Sequence, residues 1–252
     1  MSRTTATKLL IWLFGGVTVA SILTGGPWRE LLAVSLFVGF LFGVKYWFLD
    51  HPRKSAVEVE AERLGLRYSA KDPFAMMSYP FALFRRTRER YGGVDNVMWG
   101  TWRELEVRVF DYEYSINDDD VRYLSCVVAA IPEGWPSIVI QPETLVTTIA
   151  DHVALHDVAF ELEVFNRRYE IQCEDRRFAG ALVDTRMMEW LMSRSPLPGF
   201  EISGQWVLSY RDQVQPWHVE SVLELAHGFI EHIPTIVPSL YPQTRSATPV
   251  GE

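Results

Sequence analysis

Cysteine is scarce: the 252 residues hold two, Cys126 and Cys173. There is no CxxC and no Cys/His cluster, so no zinc site is indicated. Both cysteines fall in apolar or alternating runs that read as strands. That suits buried free thiols in a reducing compartment, with a single disulfide between them as the alternative. Lysine nearly disappears after residue 54, where Lys71 stands alone among 17 arginines. Positive charge is short as a whole. Residues 1–54 carry six Lys or Arg against two Asp or Glu, so the chain's net −8 leaves −12 for residues 55–252. An acidic domain argues against nucleic acid as a partner, because a phosphate backbone needs a basic surface. The sequence also lacks a P-loop, a G-x-G-x-x-G and a G-x-S-x-G. No catalytic residue, cofactor or metal ligand is indicated, and the balance leans away from an enzyme.

What is abundant is apolar sequence near the start. Residues 9–23 and 31–49 are two apolar runs, the second interrupted only by Lys45. The second is long enough to cross roughly 30 Å of hydrocarbon at about 1.5 Å per residue. Lys45 lies near its end, where it can snorkel, and Tyr46 and Trp47 suit the interface. "TGGPWRE" between the runs reads as a turn. Residues 1–54 are therefore expected to form a transmembrane helical hairpin. The first run also admits a reading as a cleaved signal peptide, with Arg3 and Lys8 as its basic region. Arg3 and Lys8 precede the first run, and Arg53 and Lys54 follow the second. Positive-inside reasoning places the N-terminus and the C-terminal domain in the cytoplasm of a multi-pass inner-membrane protein. The bilayer is thus the first expected partner.

Beyond the membrane, residues 55–93 read as a juxtamembrane helix followed by an irregular basic linker. Ser55 with Glu58 matches a capping box, and Gly65 suits the position just past the helix end. A domain over 94–234 follows. Strands are expected in "NVMWGTWRELEVRVFDYEYSI" (two, with a turn at 101–104), "VRYLSCVVAAI", "PSIVIQP", "VAFELEVF" and "RRYEIQC". "GFEISGQWVLSYR" reads as a hairpin about Ser203 and Gly204. Helices are expected in "ETLVTTIADHVAL", "DRRFAGALVDTRMMEWLMSR" and "QPWHVESVLELAHGFIEHIP". Strand pairs followed by single helices predict an α+β fold, a two-layer sandwich with a mainly antiparallel sheet. Residues 235–252, rich in Pro, Ser and Thr, read as a flexible tail.

The segments "AERLGLRYSAKDP", "VFDYEYS", "WPSIVIQPE", "FNRRYEIQCEDRRFAGALVDTRMMEWL" and "IPTIVPSLYP" resemble those of an uncharacterised group of membrane-anchored actinobacterial proteins. The likeness runs over roughly residues 57–242. It implies one or two N-terminal spans and a shared cytoplasmic α+β domain, and it carries no catalytic residues over.

The densest charge lies in "EVFNRRYEIQCEDRRFAGALVD". Alternation puts Tyr169, Ile171 and Cys173 on one face of a strand. Glu174 or Asp175 then caps the next helix. Arg176 and Arg177 oppose that helix's dipole by about 0.3–1 kcal/mol each. Either the adjacent acids offset this, or Arg167, Arg168, Arg176 and Arg177 contact an anion or a protein partner. Arg85, Arg86, Arg88 and Arg90 in "FRRTRER" form a second cluster, suited to anionic lipid headgroups or to a solvated linker. Asp118, Asp119 and Asp120 read as a solvated turn, because a calcium loop needs alternating acids and a distant Glu. His152 and His156 are one helical turn apart without a marked third ligand. Trp99, Trp102, Trp135, Trp190, Trp206 and Trp217 supply material for a core or an aromatic contact patch. These features predict an accessory protein whose cytoplasmic domain binds a partner in an inner-membrane assembly, such as a respiratory or transport complex. The alternative is a tethered sensor or enzyme for a small anion.

Overall fold

The computed structural model describes residues 39, 51–88, 92–117, 120–143 and 156–242. The chain divides into two units, Met1–Ala56 and Val57–Glu252. The spans expected at 9–23 and 31–49 lie outside the described residues, Gly39 apart, as does the helix expected at 143–155, Glu143 apart. Among the described residues no helix is long and apolar enough to cross a membrane.

The first described helix, α1 (His51–Arg63), begins before Ser55, so the expected capping box is not its start. It ends as the sequence suggests. Gly65 sits at φ 70°, where a side chain would be strained. The Leu66 N–H reaches the Ala61 carbonyl at 2.8 Å and the Gly65 N–H the Glu62 carbonyl at 3.1 Å, a Schellman stop.

The stretch expected to be a linker is folded. It contains β1 (Arg67–Lys71), a 3₁₀ turn at Met76–Ser78 and α2 (Ala82–Arg88). Met76, Phe81, Leu83 and Phe84 have no exposed surface. The compact unit therefore reaches well ahead of the boundary expected at residue 94.

Next come β2 (Gly92–Trp102), β3 (Leu105–Asn117) and β4 (Asp120–Pro142). The β2–β3 turn holds Arg103 and Glu104, both at positive φ, inside the 101–104 turn read from sequence. β4 runs 23 residues where two strands were expected. Pro132, Gly134 and Pro136 mark a bulged bend in it rather than a break, since proline is tolerated at bulges. Then follow β5 (His156–Asp157), α3 (Glu163–Asn166), β6 (Tyr169–Cys173), α4 (Arg176–Leu182) and α5 (Thr185–Met192). Thus "VAFELEVF" is largely loop and short helix, not strand. The single helix expected after Asp175 is two, because Val183 leaves helical geometry and Asp184 caps the second through the Met187 N–H at 2.8 Å. The chain closes with β7 (Gly199–Asp212), α6 (Val219–His232) and α7 (Ile236–Leu240). β7 is one strand, not a hairpin. Gly204, at φ 58°, lies opposite Trp135 at the bulge.

The seven strands among the described residues pair antiparallel in the order β1-β2-β3-β4-β6-β5, with β7 also on β4. β7 follows one edge of β4 from Leu124 to Ile140. The other edge of β4 takes β3 along its first half and β6 along its second. Apolar residues on both faces of β4 fit this central place.

The β4–β7 ribbon is sharply bent. Gly199 and Tyr210 are eleven residues apart in β7, about 36 Å in a straight strand. Yet a Cβ on Gly199 would lie 2.3 Å from the Tyr210 ring. The two halves of the sheet therefore curl toward each other, and residues 72–88 fill the space between. On the first half Phe84 packs on Phe110 and Tyr112. On the second half the buried Glu201 carboxylate accepts the Ala82 N–H at 2.6 Å and the Leu83 N–H at 3.0 Å. The opposite face of the first half, with Met98, Val109, Val127 and Ala129, is covered by α1 and α6. That adds a third layer to the expected two. The second half packs Ile138, Ile140, Ile171 and Cys173 against α4, α5 and the end of α6.

Candidate functional site

The sequence-predicted arginines do not form one cluster. Arg167 and Arg168 precede β6, and Arg176 and Arg177 follow it, so a five-residue strand separates the pairs. Arg167 pairs with Glu163 at 2.5 Å, both side chains largely in solvent. Arg168 donates to the Met192 carbonyl at 3.4 Å, the last residue of α5. Arg176 and Arg177 are exposed on the first turn of α4. Asp175 caps that turn, its Oδ1 accepting the Arg177 N–H at 2.8 Å and the Phe178 N–H at 3.4 Å. Its Oδ2 accepts the Tyr241 hydroxyl at 2.6 Å. The Tyr241 bond first, then the two N–H groups and the Arg177 charge, hold the Asp175 carboxyl below the ordinary carboxylate range.

Of the basic segment, Arg85 is exposed beside a shallow cleft lined by Pro80, Ala82, Ser137, Glu201 and Ser203. Arg86 and Arg88 lie on the α2 backbone, and Arg90 lies outside the described residues. Phe84, immediately before Arg85, is core.

Asp118 and Asp119 lie outside the described residues; their flanks Asn117 and Asp120 pair, as a hairpin tip requires. His152 also lies outside, and His156 is in β5. His227 packs edge-on to Trp102 at 5.8 Å, and its Nδ1 is 3.3 Å from Glu231. The His232 Nδ1 is 2.7 Å from the Gly228 carbonyl, with its ring stacked on Trp190. Among the described residues no group of three or more His, Cys, Asp or Glu is placed to hold a metal ion. Cys126 and Cys173 are free and buried. Burial pushes the Cys126 thiol well up and the Cys173 thiol up to about 11, so neither is an activated nucleophile.

The most organised surface feature among the described residues joins Trp99 and Trp206, both expected as core or patch material, to Arg108, Phe74 and Tyr79, which the sequence did not single out. Arg108 of β3 lies on the same face as Phe110 and Tyr112. Its guanidinium sits over Phe74 at 4.3 Å, Trp206 at 5.1 Å and Tyr79 at 5.6 Å. It donates to the Tyr79 hydroxyl and pairs with Glu106 at 3.0 Å. Trp206 meets Tyr79 edge-on at 5.2 Å, and Phe74 meets Trp99 edge-on at 5.3 Å. All four rings are half-buried. The cluster joins β2, β3, β7 and the loop before α2, and its rings rest on the core beneath. A cation over aromatic faces is attracted by the ring quadrupoles. Trp, Tyr and Arg in a fixed patch are the residue types that dominate binding between proteins. The signal in the sequence is an arginine on the apolar face of "VRVFDYEY".

Of the other tryptophans, Trp102 and Trp135 are buried, Trp190 is half-buried, and Trp217 is 63% exposed.

The fold and this surface define an α+β module with a curled antiparallel sheet and a built aromatic–arginine patch. No family model matches the chain. No curated protein matches it. Among solved structures, it is similar in fold to the mycobacterial trehalose monomycolate transport factor A, TtfA. The TM-score is 0.55 at 10% identity, over 72% of this chain and 96% of that one. At that identity the likeness establishes the fold.

Proposed function

We propose that this chain is a membrane-anchored accessory protein of a transport assembly, and that its folded unit binds a protein partner rather than turning over a substrate. The observation that carries this is the fold shared with almost the whole length of a transport factor. The aromatic–arginine patch around Arg108 gives the reading a surface, because such residues concentrate binding energy. The apolar runs at 9–23 and 31–49, with their basic flanks, give it an anchor and a cytoplasmic side. The arginines at 85, 86, 88 and 90 then meet anionic headgroups as an auxiliary contact. The anion-sensor alternative has less support, since Arg167 is already paired and Arg168 is bonded to a backbone carbonyl.

The test is purification of the tagged full-length protein in mild detergent, with mass spectrometry of its companions. The expected result is a membrane transport protein in fixed stoichiometry, lost in Trp206→Ala and Arg108→Ala variants that keep the wild-type melting temperature. A solitary protein, or a companion indifferent to both substitutions, overturns the proposal.

A further inference from the structure

Residues 235–242 do not behave as the loose tail their composition suggests, yet few contacts hold them. Val237 is fully buried, and Tyr241 is half-buried with its ring edge-on to Phe178 at 5.1 Å. Ile236 and Leu240, on the outer side, are 54% and 52% exposed. The Val237 and Tyr241 N–H groups bond to Pro234 and Val237 carbonyls, within or next to the segment. The Ser239 hydroxyl bonds to Thr235 in the same way. The bond between the Tyr241 hydroxyl and Asp175 crosses to the rest of the fold.

We infer that residues 235–242 form a releasable strap, latched by Tyr241 on Asp175 and closing over Phe178 and the Cys173 end of β6. The division of labour on Asp175 makes release possible without wider damage. One carboxylate oxygen caps α4 and the other receives the latch, so the cap survives when the latch opens. Ordering eight residues opposes docking, and two inward side chains plus one hydrogen bond favour it. A balance of that kind gives local opening well below the free energy of global unfolding. Cys173 is buried in the same cluster that takes in Val237 and, at its margin, Tyr241, with its Sγ donating to the Asp175 carbonyl at 3.1 Å. The inference does not depend on the proposed transport role.

The two cysteines make the test internal. Cys126 lies inside the curled sheet and reports global opening, and Cys173 reports the strap. The full-length protein is labelled with a maleimide at neutral pH over a range of low urea concentrations, and each site is followed by mass spectrometry. The expected result is faster labelling at Cys173, nearly independent of urea, against slow and urea-dependent labelling at Cys126. Tyr241→Phe should speed Cys173 roughly tenfold and leave Cys126 unchanged. Val237→Ala should act in the same direction. The two cysteines rising together, or Cys173 staying protected in both variants, overturns the strap.

Discussion

Residues 72–88 and residues 235–242 are both short segments packed on the rest of the fold, but the first is enclosed by the curled sheet and the second lies against α4, covered on one side. The inner segment places Met76, Phe81, Leu83 and Phe84 out of contact with water. Asp72 folds its start, and Glu201 ties its later part across to β7. Asp72 accepts the Phe74 N–H at 2.9 Å and the Met76 N–H at 2.6 Å, and Glu201 reaches across from β7 to Ala82 and Leu83. The outer segment has one buried side chain and one latch. The difference teaches that composition does not decide whether an unpatterned segment is structural. What decides is whether the sheet closes around it.

The sharpest way to break the comparison is Phe84→Ala. Phe84 touches Phe81, Phe110 and Tyr112, so truncation leaves a cavity between the halves of the sheet. A loss of about 3–5 kcal/mol is expected, read as a lower urea midpoint with unchanged slope. Next is Gly199→Ala. The new methyl would meet the fully buried Tyr210 ring, so either the ring shifts or the bend opens. A cost of about 1–3 kcal/mol follows if the ring shifts, and more if the bend must open. Glu201→Ala comes third. It strands two buried N–H groups on α2, a cost of about 1–3 kcal/mol, and exchange at Ala82, Leu83 and the strands around them should rise together. All three should act on the whole domain. If any of them released only the inner segment, the distinction between enclosed and covered would fail.

These effects also show which parts of the fold the sequence made visible. β6 was legible because one face is buried and the other is not: Tyr169, Ile171 and Cys173 point inward as their alternation requires. The cap of α4 by Asp175 was legible for the same local reason. The bend was not. A glycine at positive φ serves a hairpin turn and a bulge equally, so Gly204 read as a turn when it sits inside one long strand. Residues 72–88 read as irregular because their apolar residues meet walls on several sides and so follow no period. Glu201 could not be assigned from sequence at all, since its partners lie 118 and 119 residues away. At the candidate surface the outcome was mixed. The opening arginines drew attention by density: Arg167 and Arg168 make local contacts, while Arg176 and Arg177 stand exposed on the first turn of α4. Arg108 drew none, although an arginine on the apolar face of β3 was the real anomaly.

The smallest effect separates the strap from everything else by pH. Around the latch the charged or titratable groups are Asp175, Tyr241, Arg177 and Cys173. Asp175 is held below its ordinary value of 3.8 by the Tyr241 bond, so its contribution is complete above that value and is lost as pH falls through the depressed one. Tyr241 is pushed up to about 12, by burial first and by Asp175 second, so its contribution is complete below 10.0 and is lost as pH rises through the raised value. The latch therefore holds across the neutral range and weakens at both extremes. Limited pepsin digestion as pH is lowered below the ordinary carboxylate range should cut at Leu240 or Tyr241 before any strand is attacked. Asp175→Asn has no carboxylate to protonate, so its cleavage near the strap should lose the acid step. An acid step that persists in Asp175→Asn would assign the opening to other carboxylates, and the strap would then share the stability of the core it rests on.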